Sequence, residues 1–355
     1  MKAELIATAG LYAAASARPQ QLSKRSGVQY FGINIAGFDF GCGTDGSDDW
    51  QTSATPPLSS LGGPDGAGQM SHFAKDDGMN IFRLPVGWQY LVANNLGGDL
   101  DPTNSGNYDQ LVQACLSTGA TCLIDVHNYA RWDGGIIGQG GPTNDQFASL
   151  WTNIATKYAG QDNLFFGLMN EPHDLDISTW AGSVQAAVTA IRNAESSSGG
   201  IQHTILIPGT EYTSAGAFPS MSGPSLVGIT NPDGSTTDLV FDVHQYSDSD
   251  YSGTHTECVT NNIDGAFSPL ATYLRSVGRQ ALLSEMGGGN TASCETDICQ
   301  QVQYLNDNSD VFLGFIGWAA GSFDPSTYAL SEVPTDHGGT WTDVPLVSMC
   351  FNQNT

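Results

Sequence analysis

The stretch that decides the fold of this chain is LFFGLMNEPHD, residues 164–174. It begins with the apolar run LFFGLM (164–169), which is typical of a strand buried on both faces of a parallel sheet. The run passes without a break into the polar residues Asn170, Glu171 and His173. A strand suited to the core of a protein therefore ends in side chains that accept, donate and transfer protons.

Seven other runs of this kind lie along the chain, roughly 30 to 50 residues apart. Each is short and rich in β-branched or aromatic residues, as buried strands are. The eight runs are YFGINIAG (30–37), NIFRLPVGW (80–88), TCLIDVHNY (121–129), LFFGLMNEP (164–172), HTILIPGT (203–210), LVFDVHQY (239–246), QALLSEMGG (280–288) and VFLGFIGWAAG (311–321).

Amphipathic segments separate several of these runs. NDQFASLWTNIATKYA (144–159) and TWAGSVQAAVTAIRNA (179–194) place apolar residues on one helical face at three- to four-residue spacing. Eight buried strands alternating with such helices predict an α/β fold, a single (β/α)8 TIM barrel over residues 26–355. An open doubly wound sheet is the alternative. We find no linker that would mark a second domain.

The barrel prediction indicates where functional residues should lie, because in such barrels they are found at the C-terminal ends of the strands. Six of the eight runs end in polar or aromatic groups capable of chemistry or binding. These groups are Arg83, His127, Asn128, Asn170, Glu171, His244, Tyr246, Glu285 and Trp318.

Two carboxylates stand out among these groups. Glu171 ends the fourth run and Glu285 ends the seventh. A structural ion pair would explain either one alone, but only seven Lys and Arg residues follow position 25, and neither run has a basic neighbour. Two carboxyls facing one cleft are what glycoside hydrolysis requires: one protonates the leaving oxygen, and the other attacks the anomeric carbon or activates water.

Other chemistries find little support. The chain has no G-x-S-x-G elbow, no H-E-x-x-H run and no P-loop, so we expect no serine nucleophile, no metal and no cofactor. Acidic residues outnumber basic ones by 36 to 11. Nucleic acid is therefore not an expected partner, because phosphate binding needs clustered Lys and Arg, and an anionic membrane would repel the chain.

The N-terminus predicts export. Residues 1–17, MKAELIATAGLYAAASA, have the basic start, apolar run and small-residue end of a secretory signal peptide, and residues 18–25 end in a Lys-Arg pair typical of a pro-segment. We therefore expect a secreted, extracellular protein. In that setting the seven cysteines predict disulfides with one thiol left over, since their spacing lacks the CxxC pairs of zinc sites.

Six ordered motifs resemble glycoside hydrolase family 5, and in particular its fungal endoglucanases. They are FRLPVGW, DVHNYARW, MNEPHD, DVHQY, SEMGGGN and GWAAGSF. The resemblance covers nearly all of residues 27–351. It implies a secreted endo-β-1,4-glucanase that acts as a monomer on β-1,4-glucan polysaccharide and retains anomeric configuration. Retention in turn predicts carboxyl groups about 5–5.5 Å apart.

The resemblance also implies roles for the strand-end residues. Glu171 matches the general acid/base and Glu285 the nucleophile, while Arg83 and Tyr246 match the groups that keep the nucleophile ionised. Asn170 matches the amide that binds the sugar 2-hydroxyl. His127 and His244 match the imidazoles that line this subsite, and Trp318 matches the ring under the sugar, which is typically followed by a cis peptide. Asn128, beside His127 at the same strand end, is a further candidate for binding the substrate.

Further implications concern the aromatic residues, the cysteines and the domain content. Trp88, Trp132, Tyr129 and Tyr212 follow strand ends and are candidates for additional sugar platforms, against plain loop packing. The family pattern pairs Cys115 with Cys122, Cys258 with Cys294 and Cys299 with Cys350, leaving Cys42 free. The cellulose-binding module of some relatives is not expected here.

Two other functions stay open on the sequence alone. A β-mannanase or a mixed-linkage β-glucanase would use the same catalytic set. A carbohydrate-binding barrel without activity is disfavoured by the presence of both Glu171 and Glu285.

Overall fold

The computed structural model describes residues 27–352, in which eight parallel strands close into a barrel. The predicted (β/α)8 fold is confirmed, and every predicted run contains one strand. In chain order these are β1 (Tyr30–Ala36), β2 (Ile81–Val86), β3 (Thr121–Val126), β4 (Leu164–Gly167), β5 (Thr204–Pro208), β6 (Leu239–His244), β7 (Ala281–Met286) and β8 (Phe312–Gly321). The predicted signal peptide (1–17) and pro-segment (18–25) lie outside the described residues.

Helices surround the barrel. Within residues 27–352, the helices of ten or more residues are α1 (Gly66–Lys75), α2 (Pro102–Ser117), α3 (Asn144–Tyr158), α4 (Ile177–Ser197), α5 (Ser268–Val277) and α6 (Ala292–Asp307). Side chains set where they begin: Thr143 and Gln146 form a reciprocal capping box at the start of α3. None of the described helices combines the length and the apolar character needed to cross a membrane.

Shorter elements complete the described chain. The connection from β5 to β6 lacks a long helix and instead has two single turns, so the alternation of strand and helix is interrupted there. Single-turn helices are Trp50–Ser53, Trp88–Val92, Phe218–Met221 and Gly223–Leu226; Ser59–Leu61 is a 3₁₀ turn, and Ile263–Phe267 and Val347–Phe351 are π turns. Two small ladders pair Arg131–Trp132 with Gly135–Ile136 and Thr335–Asp336 with Trp341–Thr342.

Two helix tryptophans fix the C-terminal ends of neighbouring strands. Trp151 of α3 is fully buried, and its indole N–H donates to the carbonyl of Leu168 at 3.2 Å. Trp180 of α4 is likewise buried and donates to the carbonyl of Pro208 at 3.0 Å. Because Leu168 directly follows β4 and Pro208 ends β5, the helix layer is tied directly to the barrel end that carries Asn170.

The barrel interior is built in layers of opposite character. An apolar layer fills its N-terminal part and consists of Ile81, Leu123, Phe165, Leu206, Val240, Leu282 and Ile316. Strand side chains alternate with a period of two, so the residues two positions further along also point inward. In four strands those residues are polar, namely Arg83, Asp125, Asp242 and Ser284; Asn34 of β1 lies beside Arg83 in the strand register, and all five are buried. A polar floor therefore lies under the C-terminal barrel mouth.

Three disulfides hold the described chain together, with the pairings that the resemblance implied. Cys115–Cys122 joins α2 to β3, Cys258–Cys294 joins the loop after β6 to α6, and Cys299–Cys350 joins α6 to the last turn. Cys42 carries a free thiol in the described chain and forms an isolated antiparallel bridge with Asp48.

Glu332 is an acidic residue in an unusual position, buried in the barrel wall. It is fully buried, and neither of its carboxyl oxygens has a hydrogen-bond partner among the described residues. Burial raises the pKa of Glu332 well above its ordinary value. Its backbone N–H donates to the carbonyl of Ala319, so the carboxyl lies against β8.

We expect the stability of the protein to fall as the pH rises, partly because of Glu332. Above about 4.5 the folded state keeps a proton that the unfolded state loses. The free energy of unfolding then falls by up to about 1.4 kcal/mol per pH unit until the raised pKa is passed. Glu332→Gln, which imitates the neutral acid, should flatten this decline in urea unfolding measured from pH 4.5 to 9. Glu257→Gln, at an exposed site, is the control; equal slopes in both variants would contradict the assignment.

Candidate active site

Arg83 lies at the centre of the barrel mouth. Its side chain is completely buried, and one guanidinium nitrogen reaches Glu285 Oε1 at 2.5 Å and Asn34 Oδ1 at 3.0 Å. The other nitrogen donates to Asn170 Oδ1 at 2.7 Å and lies 3.0 Å from Asp125 Oδ1. Burial disfavours the charge, but Asp125, Glu285 and Asp242 outweigh it and raise the pKa of Arg83 above its ordinary value. Arg83 is therefore a fixed cation that orients groups from several strands.

Glu285, the last polar residue of β7, is held as an anion. Burial alone would raise its pKa, yet His244, Arg83 and His127, together with a hydrogen bond from Tyr246, lower it below the ordinary value. The Tyr246 hydroxyl donates to Glu285 Oε2 at 2.7 Å, opposite the oxygen that Arg83 binds. Both carboxylate oxygens thus have donors, and the group stays ionised in a buried position.

His244 connects the two carboxyl groups. Its Nδ1 lies 2.8 Å from Glu171 Oε1 and 3.5 Å from Glu285 Oε2. One oxygen of Glu171 and one of Glu285 lie within 4.8 Å of one another. Ser284 Oγ donates to Asp242, so it accepts from His244 Nε2 at 2.9 Å, which turns Nδ1 toward Glu171. Glu171 is the more accessible partner, with 17% of its side chain exposed against 5% for Glu285.

The same three residues offer donor atoms that could enclose a cation. Their charges are already compensated, however, because Arg83 and Tyr246 bind Glu285 and His244 binds Glu171. The arrangement is therefore equipped for proton transfer and nucleophilic attack with the protein's own groups.

Asn170 presents a free donor beside these carboxyls. Its Oδ1 accepts from Arg83, which fixes the orientation of the amide. Its Nδ2 is buried and has no hydrogen-bond partner among the described residues. An unpaired buried donor is costly, so such a group is expected to meet a hydroxyl or other acceptor when the cleft is filled.

An aromatic wall closes one side of the cleft. Trp318 in β8 is half-buried, and its indole N–H donates to Tyr328 Oη at 2.8 Å. The His127 ring stacks on Trp318 with centroids 5.5 Å apart, while His127 Nδ1 lies 2.9 Å from Asp125 Oδ2. The peptide bond from Trp318 to Ala319 is cis, as the resemblance implied. The hydrogen bond to Tyr328 and the stacking on His127 hold the indole face in one orientation beside the carboxyl groups.

Two of the candidate residues are buried and do not face the cleft. Trp88 is not a sugar platform, because it is completely buried against Trp132 and Phe147. Asn128 does not offer its side chain to a ligand: it is fully buried, accepts from the Trp88 backbone N–H at 2.6 Å and donates to Gln89 at 2.5 Å. Asn128 instead positions the turn after β2, because both ends of its amide are occupied there.

The other aromatic candidates lie at the rim. Tyr212 is 43% exposed and stacks on His173 with centroids 4.4 Å apart. His173 in turn bonds the carbonyl of Thr44 at 2.9 Å, which fixes the loop after β4. Tyr129 and Trp132 are half-buried. These rings remain available for contact with a ligand.

Several residues that shape the site were missed in the sequence. They are the inward polar residues Asn34, Asp125, Asp242 and Ser284, and Tyr328 beyond the last strand. A signal for the first four exists, since each is a polar residue at an inward position of an otherwise apolar strand. Tyr328 lies in a loop and has no such signal.

Comparisons with known proteins agree with this geometry. A family model, described as cellulase (glycosyl hydrolase family 5), matches residues 37–323. Endoglucanase EG-II of Hypocrea jecorina is 64% identical over 331 residues, 92% of this chain and 78% of that protein. Endoglucanase 1 of Saitozyma flava is 51% identical over 94% of this chain and 93% of that protein.

A solved structure resembles the barrel closely. The crystal structure of Cel5A (EG2) from Hypocrea jecorina superposes with a TM-score of 0.89 at 62% identity, covering 93% of this chain and 100% of that one. The resemblance inferred from six short motifs is thus confirmed over nearly the whole described chain. The chain belongs to glycosyl hydrolase family 5, the cellulase family.

Proposed function

We propose that this protein is a secreted endo-β-1,4-glucanase that cleaves internal glucosidic bonds with retention of configuration. One observation carries the mechanism: carboxyl oxygens of Glu171 and Glu285 lie within 4.8 Å of one another at the barrel mouth. Retaining enzymes place their carboxyl groups about 5–5.5 Å apart, whereas inverting enzymes leave about 6.5–9.5 Å for a water molecule. The relatives named endoglucanase support the substrate class.

In the first step Glu285 is the nucleophile. Its carboxylate, held ionised by Arg83 and Tyr246, attacks the anomeric carbon. Glu171 gives its proton to the glycosidic oxygen, the bond between that oxygen and the anomeric carbon breaks, and a glycosyl ester forms on Glu285. His244 keeps Glu171 in place through the 2.8 Å contact.

In the second step Glu171 acts as the base. Glu171 is an anion at this point because it gave up its proton in the first step. The ester has removed the negative charge of Glu285, so that charge no longer repels the Glu171 carboxylate. It takes a proton from water, the water oxygen bonds to the anomeric carbon, and the ester bond to Glu285 breaks. Both carboxyl groups return to their starting states.

The remaining cleft residues hold the sugar. The unpaired amide nitrogen of Asn170 donates to a hydroxyl of the ring being cleaved, for which the family match indicates the 2-hydroxyl. The indole of Trp318 takes the apolar C–H face of a sugar, since burying that face against an aromatic ring removes both from water. His127 supports the indole from behind.

The partners and location follow from the substrate. A β-1,4-glucan polysaccharide is too large to enter cells, so the enzyme must work outside them. Three disulfides in the described chain fit an oxidising, extracellular compartment. We propose that one catalytic barrel, acting as a monomer, is sufficient for activity.

Removing either carboxyl group should abolish turnover of polysaccharide. We expect Glu171→Gln to lower kcat on carboxymethylcellulose by about 10²–10⁴-fold, the usual worth of general acid–base catalysis. Glu285→Gln, which lacks the nucleophile, should lose about 10⁴-fold or more. Rates would be measured as reducing ends released, with circular dichroism to verify folding.

An activated substrate distinguishes the two roles. An aryl cellobioside whose phenol leaves without protonation should restore the first step in Glu171→Gln but not in Glu285→Gln. Glu257→Gln, an exposed carboxyl, serves as the unaffected control. If both active-site variants responded alike to the activated substrate, the assigned roles would be wrong.

The acid limb of the pH profile should report Glu285. Tyr246→Phe removes the hydrogen bond to Oε2 and so raises the pKa of Glu285. Because the ionised form is the active one, kcat/KM should begin to fall at a higher pH than in the wild type. We also expect a loss of about 10–100-fold at the optimum, the worth of a hydrogen bond to a charged group. The exposed Tyr251→Phe is the control, and an unmoved acid limb would count against this role.

Two assays test the substrate and the stereochemistry. An endo-acting glucanase lowers the viscosity of carboxymethylcellulose before many reducing ends appear, and it should act more slowly on galactomannan and xylan. NMR of the first product anomer should show the β configuration. A preference for mannan would overturn the glucanase proposal alone, whereas an α product would overturn the retaining mechanism.

A further inference from the structure

We propose that His72, Asp77 and Asp343 form a binding site for a divalent transition-metal cation, which fastens the C-terminal segment to the barrel wall. We call these three residues the 72–343 cluster. Their donor atoms lie within 4.8 Å of one another, and two of the three residues are buried. The 72–343 cluster lies apart from the cleft, and cation binding there is independent of the proposed activity.

The cluster joins parts of the chain that are distant in sequence. His72 lies in the last turn of α1, Asp77 in the connection from α1 to β2, and Asp343 just after the ladder strand Trp341–Thr342. Asn352, at the end of the described chain, donates to Asp77 Oδ1 at 2.9 Å. A bound cation would therefore link the first helix to the segment that closes the fold.

The imidazole of His72 is oriented as a metal ligand would be. Its Nδ1 lies 2.7 Å from Asp76 Oδ2, and its Nε2 shares a hydrogen bond of 2.9 Å with Asp343 Oδ1, in which a metal ion would take the place of the proton. Metal-binding histidines usually donate one ring N–H to a carboxylate, which fixes the tautomer and leaves the other nitrogen for the metal. Trp341 stacks on the ring with centroids 5.9 Å apart and shields one of its faces.

The spacing of the donor atoms suits a small cation. His72 Nε2 is 2.9 Å from Asp343 Oδ1 and 3.6 Å from Asp77 Oδ2. Ligands about 2.0–2.2 Å from a tetrahedral metal lie about 3.3–3.6 Å from one another, within the span of these two distances. An imidazole with two carboxylates favours a transition metal such as Zn²⁺, Mn²⁺ or Co²⁺ over the all-oxygen preference of Ca²⁺ and Mg²⁺.

A buried oxygen points to a missing ligand. Asp77 Oδ2 has no hydrogen-bond partner among the described residues, although only 4% of the Asp77 side chain is exposed. Within residues 27–352, no lysine or arginine forms an ion pair with Asp76, Asp77 or Asp343. A cation would supply the positive charge that this oxygen lacks.

A second cluster provides a matched comparison. Asp248, Asp250 and His255 also bring three donors within 4.8 Å. There the buried Asp248 carboxylate already accepts from the backbone N–H groups of Gly253, Thr254 and His255, so it offers no unpaired oxygen. We expect no tight cation binding at that cluster.

The test measures binding of the metal itself. Chelator-treated protein is titrated with Mn²⁺, and the loss of the free-ion EPR signal is recorded; Zn²⁺, Co²⁺, Ca²⁺ and Mg²⁺ are then used as competitors. Because the cleft also offers donors, every titration is repeated in the Glu171→Gln/Glu285→Gln background. The variants are Asp77→Asn, which keeps shape and can donate to Asp343, and Asp343→Asn. His255→Gln is the control.

We expect one equivalent of Mn²⁺ bound in the wild type, in the cleft background and in His255→Gln. Asp77→Asn and Asp343→Asn should bind at least tenfold more weakly. Cation at about a hundredfold the wild-type Kd should raise the Tm of the wild type by about 5 °C and that of Asp77→Asn by no more than about half as much. If Asp343→Asn does not fold, Asp77→Asn alone decides the question.

Three results would overturn the proposal. The first is the absence of cation binding and of a Tm response in the wild type, which would mean that protons alone hold the 72–343 cluster. The second is unchanged binding in Asp77→Asn. The third is competition by Ca²⁺ or Mg²⁺ but not by Zn²⁺ or Co²⁺, which would exclude a transition-metal site.

Discussion

The arrangement of the active site depends on one buried charge, the guanidinium of Arg83. Taking such a charge out of water costs several kcal/mol unless its donors are satisfied and a counter-charge lies close by. The barrel meets this requirement with Asp125, Glu285, Asn34 and Asn170, which come from or follow four different strands. The same contacts that make Arg83 tolerable therefore set the positions of Glu285 and Asn170. The contacts that stabilise the polar floor are thus also the contacts that set the catalytic geometry.

The surrounding packing makes the arrangement of the active site rigid. Glu171 has a φ of +41°, in the left-handed region that costs a non-glycine residue roughly 1–2 kcal/mol. The strain persists because both sides are fixed: the Asn170 backbone N–H bonds to the carbonyl of Val126, and the carbonyl of Pro172 accepts from Tyr212. Behind them Trp151 holds the carbonyl of Leu168. The apolar half of LFFGLMNEPHD and its helix partner thus keep the proton donor directed at the cleft.

How far the sequence predicts such a site depends on the kind of information required. Apolar runs predicted all eight strands, because a strand buried on both faces is apolar at nearly every position, and this pattern can be read directly from the sequence. Strand-end position identified Glu171, Glu285, Arg83 and His244, yet it says nothing about side-chain direction, which is why Trp88 and Asn128 were misplaced. The disulfide pairs came from family resemblance, since spacing alone allows several pairings. The 72–343 cluster was invisible because its members meet only after the chain end folds back.

The buried acids of this protein are needed in different protonation states. Glu285 has a lowered pKa and must be charged to act, while burial raises the pKa of Glu332 well above its ordinary value and that of Asp48 to about 7. Both requirements are met in mildly acidic medium, where Glu285 is already ionised and Glu332 and Asp48 still hold their protons. The net charge of −25 adds to this preference, because partial protonation of the acidic surface lessens self-repulsion. Activity needs the ionised form of Glu285, whereas stability benefits from the protonated forms of Glu332 and Asp48, because chemically similar groups lie in different electrostatic surroundings.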